Sequence, residues 1–85
     1  MLSHPKLLKA ARLSLELSQD DLATSAKISL RSLIKLELSN PNTTVRTVEA
    51  VQSALERHGV VFVSDDKAEG FMLPRNLLPK LVNLD

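Results

Sequence analysis

Several residue types that supply specialised chemistry are rare or missing in this sequence. It contains no cysteine, which excludes a disulfide framework and a thiolate zinc site. Its two histidines, His4 and His58, are too few for a catalytic zinc site without carboxylate help. Phe62 and Phe71 are the only aromatic residues, so binding of nucleic-acid single strands by base stacking is disfavoured. We therefore expect no metal and no cofactor.

Long apolar runs are also missing, and the chain is short. No stretch approaches the roughly eighteen apolar residues of a membrane span, and no charged segment precedes an apolar core as in a secretory signal. The 85 residues match one domain and leave too little chain to enclose a substrate pocket. Neither a nucleophile–base pair nor a carboxylate cluster occurs. The expectation is a cytoplasmic protein that is not an enzyme and does not contact a membrane.

Neither sign of charge dominates the sequence. The net charge is +1, with eight Lys or Arg against six Asp or Glu in residues 1–57 and three against four in residues 58–85. The N-terminal part is thus mildly basic and the remainder mildly acidic. Because nucleic-acid binding needs basic residues clustered on one face, the charge balance by itself predicts no such partner.

Leucine is abundant, and the spacing of apolar residues predicts four helices. Ser18 with Asp21 has the pattern of a capping box, and Ser29 is a cap for the next helix. Thr43 or Thr44 caps the last one, and Gly59 is a stop residue. The predicted helices cover residues 6–16, about 19–26, 30–38 and 45–57.

The three residues between the second and third predicted helices form a tight turn. Because Lys27–Ser29 must reverse the chain in so few residues, we expect Lys27 at a positive φ. Four helices with such a turn between the second and third match the helix-turn-helix pattern.

After the fourth predicted helix, the sequence favours short strands. Val60–Val63 is a β-branched run too short for a helix, and Phe71–Leu73 is a second candidate strand. Beyond them, the tail carries Leu77, Leu81 and Leu84 at helical spacing. We expect residues 1–58 to form the helical domain. We expect residues 59–85 to form a hairpin and tail that serve as the dimerisation element, by edge pairing or tail exchange, because a two-stranded hairpin is marginal alone. The alternative is a monomer whose hairpin folds onto its own first and fourth helices.

The stretch from Leu7 to Leu55 resembles the phage-repressor-like helix-turn-helix family, also called the xenobiotic-response-element family of bacterial regulators. The resemblance is carried by Leu17-Ser18-Gln19-Asp20-Asp21-Leu22-Ala23, by Ile28-Ser29, and by Leu36-Glu37. It implies a mainly α, repressor-like domain of four to five helices with a short C-terminal β-hairpin or strand. The family usually has glycine where this chain has Lys27.

The resemblance implies a prokaryotic or phage transcriptional regulator that binds double-stranded DNA at a pseudo-palindromic operator as a homodimer. The helix of residues 30–38 would lie in the major groove. Arg31 and Lys35 lie one turn apart, and a guanidinium can bind guanine with two hydrogen bonds. The residues that would contact DNA are Gln19, Ser29, Leu30, Arg31, Ser32 and Lys35, with the loop residues Asn40, Asn42 and Thr43 near the backbone. The resemblance also implies a buried, structural salt bridge between Arg12 and Glu37.

An alternative function rests on the third helix as well. Leu30, Ile34 and Leu38 form an apolar stripe where the family tends to carry polar residues. Such a stripe can contact thymine methyl groups, pack against the chain's own tail, or bind a protein. The alternative is therefore a protein-interaction module of antitoxin or anti-repressor type on the same fold. Arg31 and Lys35 would then be a solvated face.

Overall fold

The computed structural model describes residues 2–75, which fold into four helices followed by a two-stranded antiparallel sheet. The elements are α1 (Pro5–Ser14), α2 (Gln19–Ala26), α3 (Leu30–Glu37), α4 (Val45–Arg57), β1 (Val61–Ser64) and β2 (Glu69–Met72). The predicted fold class, mainly α with a short C-terminal hairpin, is confirmed. The tail that holds Leu77, Leu81 and Leu84 lies outside the described residues, and so does any fifth helix.

The helices begin where polar side chains cap their first turns. Ser18 Oγ accepts the N–H of Asp21 at 2.9 Å, and the Asp21 carboxylate accepts the N–H of Ser18 at 3.2 Å, which completes the predicted capping box. Of the two candidates for α4, Thr44 is the cap, because its hydroxyl accepts the N–H of Thr47 at 3.2 Å.

All four helices described above end in the same left-handed turn. The residues at positive φ are Glu16 (59°), Lys27 (59°), Ser39 (58°) and Gly59 (98°). In each case the next N–H bonds to the carbonyl five residues earlier, at 3.0–3.2 Å, as in a Schellman motif. The positive φ predicted for Lys27 is confirmed. Because Glu16 and Ser39 make the same turn, α1 ends before residue 16 and α3 before Leu38, earlier than predicted.

One hydrophobic core joins the four helices. Its fully buried side chains are those of Leu8, Ala11, Leu22, Leu33, Leu36, Val51, Ala54 and Leu55. The hairpin lies against α1 through β2, and the rings of Phe62 and Phe71 pack on the core with their centroids 6.3 Å apart.

Both strands are shifted from their predicted bounds. Val60 belongs to the core rather than to β1: its side chain is buried, and its N–H bonds to the Leu55 carbonyl at 3.1 Å in the turn that ends α4. At the other end, Asp65 accepts the N–H groups of Lys67 and Ala68 at 2.8 and 2.9 Å, so the chain reverses within four residues. This tight turn leaves Glu69 free to pair with the end of β1, and β2 therefore begins at Glu69 instead of residue 71.

Candidate nucleic-acid interface

The start of α3 is organised by two serine hydroxyls. Ser29 Oγ accepts the N–H of Ser32 at 3.1 Å and donates to Ser32 Oγ at 2.9 Å. Ser29 is therefore a cap, as predicted from its position before an apolar helix. Both residues remain accessible to solvent, since Ser29 is exposed and Ser32 is partly exposed.

The inner face of α3 is held by a buried ion pair. Arg12 Nε lies 2.7 Å from one carboxylate oxygen of Glu37, and Arg12 Nη2 lies 3.0 Å from the other. The third arm of the guanidinium donates to the Leu17 carbonyl at 2.8 Å. In this bidentate geometry each buried charge has a partner of opposite sign. Either charge alone would be buried without a partner, which is costly. The pair joins α1 to α3 and sets the orientation of α3.

Gln19 belongs to the same network. Its Nε2 donates to Glu37 at 2.9 Å, so the first residue of α2 is tied to the last residue of α3. The amide is half-buried, and one of its two protons is engaged. The sequence resemblance, which implies a DNA contact for Gln19, gave no sign of this structural bond.

The outer face of α3 presents two parallel rows of side chains. One row is apolar and consists of Leu30, Ile34 and Leu38, which are 38%, 36% and 75% exposed. Beside it, Arg31 and Lys35 form a row of two exposed cations one helical turn apart. Apolar and basic groups therefore lie side by side on one accessible helix surface.

A polar pocket of about 100 Å³ adjoins this face, between α3 and the start of α4. Its lining residues are Ser32, Lys35, Asn42, Thr43, Thr44 and Thr47. Thr43 Oγ1 is buried and has no hydrogen-bond partner within the described chain. The pocket also lies at the N-terminal end of α4, where backbone N–H groups and the helix dipole favour negative charge.

The structure brings four of the predicted contact residues together around this pocket: Ser32, Lys35, Asn42 and Thr43. Leu30 and Arg31 are the first two residues of α3, and Ser29 caps it. All three directly precede the pocket residue Ser32 in the sequence. The side chain of Asn40 holds the loop, because its carbonyl oxygen accepts the N–H of Asn42 at 2.8 Å. Thr47 was not predicted as a pocket residue, although its spacing from the cap Thr44 places it in the first turn of α4.

Over residues 2–75 no cluster of three or more histidine, aspartate or glutamate side chains is arranged to hold a metal ion. No helix in this part of the chain has the length and apolar content to cross a membrane. No family model matches the sequence, and no curated protein matches it.

Proposed function

We propose that this chain is a sequence-specific double-stranded DNA-binding transcriptional regulator of the helix-turn-helix type. Its activity is binding rather than catalysis, and it acts in the cytoplasm as a two-fold dimer on a pseudo-palindromic operator. The observation that carries the proposal is the joint placement of Arg31 and Lys35 on the exposed face of α3, next to the polar pocket at the start of α4.

The basic row on α3 supplies the contacts to the bases. A recognition helix enters the major groove with its first residues toward the base edges, and Arg31 is the second residue of α3. Its guanidinium can donate two parallel hydrogen bonds to O6 and N7 of a guanine. Leu30, the first residue of α3, is exposed on the adjacent row and can contact a thymine methyl group.

The polar pocket supplies a contact to the phosphate backbone. Lys35 provides the charge, and the pocket adjoins the N-terminal end of α4, where the helix dipole favours an anion. Such a contact fixes the register of α3 on the duplex but carries no sequence information.

The Arg12–Glu37 network acts indirectly. With Gln19 it ties the ends of α1, α2 and α3 together, so the outer face of α3 keeps one orientation relative to the pocket. Gln19 is the first residue of α2, and in this proposal the second N–H of its side-chain amide donates to a phosphate.

A second candidate function is favoured by one observation, the exposure of Leu30, Ile34 and Leu38. Leu38 is 75% exposed at the end of α3, beyond the residues that a major-groove helix usually places against bases. A protein-interaction module of antitoxin or anti-repressor type would use this stripe as its contact surface.

Binding of the full chain to a random DNA duplex, measured by fluorescence anisotropy at several salt concentrations, separates the two functions. Phosphate contacts release counterions, so the proposal predicts an affinity that falls steeply with salt. Lys35→Ala should weaken binding and make the salt slope shallower by about 1, whereas Lys67→Ala, an exposed lysine in the hairpin turn, should leave both unchanged. Absence of binding at low salt would refute DNA binding and leave the protein-interaction function.

A further inference from the structure

The exposed face of α3 combines two cations with apolar side chains and carries no acid. Arg31 and Lys35 are exposed, and Leu30 and Ile34 are 38% and 36% exposed. The one carboxylate of α3 belongs to Glu37, which is buried in its ion pair. A protein bound to this face would have to supply acidic groups for both cations, whereas a duplex carries a phosphate at every step of its backbone. The charge of the face therefore favours a polyanion.

The apolar row lies beside the basic row and reaches the same part of a duplex. Leu30 is the first residue of α3 and Arg31 the second, so a helix that brings the guanidinium to a base edge brings Leu30 there as well. Ile34 lies one turn further, about 6 Å along the helix axis. Because successive base pairs are about 3.4 Å apart, the two apolar side chains reach different, neighbouring base pairs.

A base edge offers one kind of favourable contact to a side chain without polar atoms. Every base presents hydrogen-bond donors or acceptors in the major groove, and thymine alone adds a methyl group, at C5. Leucine or isoleucine pressed against a polar edge removes water from donors and acceptors without replacing its hydrogen bonds, which is costly. Against a methyl group, the same side chain buries apolar surface on both partners.

We propose that Leu30 and Ile34 select 5-methylpyrimidines, which lie next to the guanine that Arg31 binds in each half-site. Thymine always carries this methyl group, and cytosine carries it when it is methylated at C5. The inference rests on the proposed function and adds to it the chemical class of base that the apolar row selects. It assigns specificity to two exposed apolar residues in addition to the guanidinium.

Replacement of thymine by uracil in the bound duplex tests the proposal, because uracil lacks the methyl group and keeps every hydrogen-bonding atom of thymine. The probe is the duplex that the full chain selects from random double-stranded DNA, with its thymines replaced one at a time. In each half-site, one or two replacements beside a guanine should each weaken binding about fourfold, the effect of one buried methyl group. Replacements outside the half-sites should leave the affinity unchanged.

Alanine variants show whether the apolar row is responsible for this preference. At an affected position, Leu30→Ala or Ile34→Ala should bind the thymine and uracil duplexes equally. Leu13→Ala is the matched control: this leucine is 55% exposed on α1, and its loss should leave the fourfold preference of the parent chain. Circular dichroism should show the same helical content in all three variants. Because the two duplexes are compared within one variant, a change in overall affinity does not imitate the result.

Methylated cytosine distinguishes the two sources of the methyl group. At an affected position, a C·G pair replaces the T·A pair, with and without a methyl group at C5 of the cytosine. A gain of about fourfold on methylation would show that any 5-methylpyrimidine is accepted. An effect confined to the comparison of thymine with uracil would assign the contact to thymine.

Equal affinity for thymine and uracil at every position of the selected duplex would overturn the inference and leave DNA binding itself intact. A preference for thymine that survives in both Leu30→Ala and Ile34→Ala would belong to the shape of the duplex, which overturns the inference equally. If the parent chain bound no duplex at low salt, the proposed function would fail and this inference with it, and the apolar row would be left to a protein partner.

Discussion

In the described part of the chain, a face of α3 and a face of the hairpin each expose several neighbouring apolar side chains, and the two faces differ in charge. On α3, Leu30 and Ile34 lie beside the cations Arg31 and Lys35. On the hairpin face formed by Val61, Val63, Gly70 and Met72, by contrast, none of the four positions carries a charge. Apolar exposure alone therefore does not identify a partner. The neighbouring charges distinguish the two surfaces: a basic and apolar helix face suits the major groove of a polyanion, whereas the hairpin face has no cation to attract one.

The two surfaces are also attached to the core in different ways. A buried network of Arg12, Gln19 and Glu37 positions α3. The hairpin is positioned by packing of Phe62 and Phe71 and by the turn at residue 59. A buried polar network thus fixes the helix surface, while the hairpin is held mainly by apolar packing and backbone shape, with one exposed hydrogen bond from the His4 N–H to Glu69 at 3.3 Å. Variants that target one attachment should affect one surface more than the other.

The largest effect is expected for Arg12→Ala. This substitution leaves the Glu37 carboxylate buried without a cation, which costs about 3–5 kcal/mol of unfolding free energy. DNA binding should be lost although Arg12 does not touch DNA in the proposed complex. Denaturant unfolding measures the loss, and Lys9→Ala, an exposed site on the same helix, serves as the control. A loss of less than about 1 kcal/mol would show that the ion pair does not hold α3 in place.

Gly59→Ala should weaken the attachment of the hairpin. Its φ is +98°, and an added Cβ would lie 2.9 Å from Cβ of Pro74, so either backbone or proline must move. We expect a loss of about 2 kcal/mol in unfolding free energy, of which the positive φ alone accounts for about 1–2 kcal/mol. Gly70→Ala is the control, because its Cβ would meet open space. Equal unfolding free energies of the two variants at the same protein concentration would contradict a requirement for glycine at position 59, between α4 and β1.

Arg31→Ala and Lys35→Ala should impair DNA binding in different ways. Removing the guanidinium should cost about 1–3 kcal/mol against the best site and relax preference at one or two base pairs. Removing the ammonium group should weaken all sequences similarly, because Lys35 lines the phosphate pocket. Anisotropy titrations on the selected operator and on random duplex distinguish the two patterns. If both variants bound the operator like the parent chain, α3 would not be the recognition helix.

Lys27→Gly should stabilise the turn that leads into α3. Lys27 has φ 59° and ψ 42°, a left-handed conformation that glycine adopts without a Cβ clash. The expected gain in unfolding free energy is some tenths to about 1 kcal/mol. Thermal unfolding measures it, and a clear drop in melting temperature would contradict the assignment of strain to Lys27.

The smallest effect concerns the hairpin turn. Hydrogen bonds from the N–H groups of Lys67 and Ala68 lower the pKa of Asp65 below its ordinary value of 3.8. A carboxylate with a lowered pKa stabilises the fold above that value and loses this contribution as the pH falls through the lowered pKa. Asp65→Asn should therefore melt slightly below the parent at neutral pH, and the difference should vanish in acid. If the difference in melting temperature did not depend on pH, the cause would be the geometry of the asparagine amide and not the loss of the carboxylate charge.

Much of this fold follows from local rules that are visible in the sequence. Ser18, Ser29 and Gly59 mark helix ends because capping depends on a few neighbouring residues. The strand bounds were less predictable, because Val60 is drawn into the core and β2 begins at a turn whose tightness depends on two side-chain bonds of Asp65.

The candidate site also has features that the sequence predicts and features that it does not. Arg31 and Lys35 were placed on the exposed face of α3 by helical periodicity, and the structure has them there. The Arg12–Glu37 pair, expected only from the resemblance, is present. The sequence predicts neither the bond between Gln19 and Glu37 nor the pocket at Thr43, because both form between segments that only the tertiary fold brings together.

Selection of bound sequences from random double-stranded DNA tests the central claim most directly. The parent chain should enrich a pseudo-palindrome whose half-sites lie about one helical turn, or 34 Å, apart, because two α3 helices related by a two-fold axis enter successive major grooves. Failure of the parent chain to enrich any sequence, at salt low enough for nonspecific binding, would contradict the account.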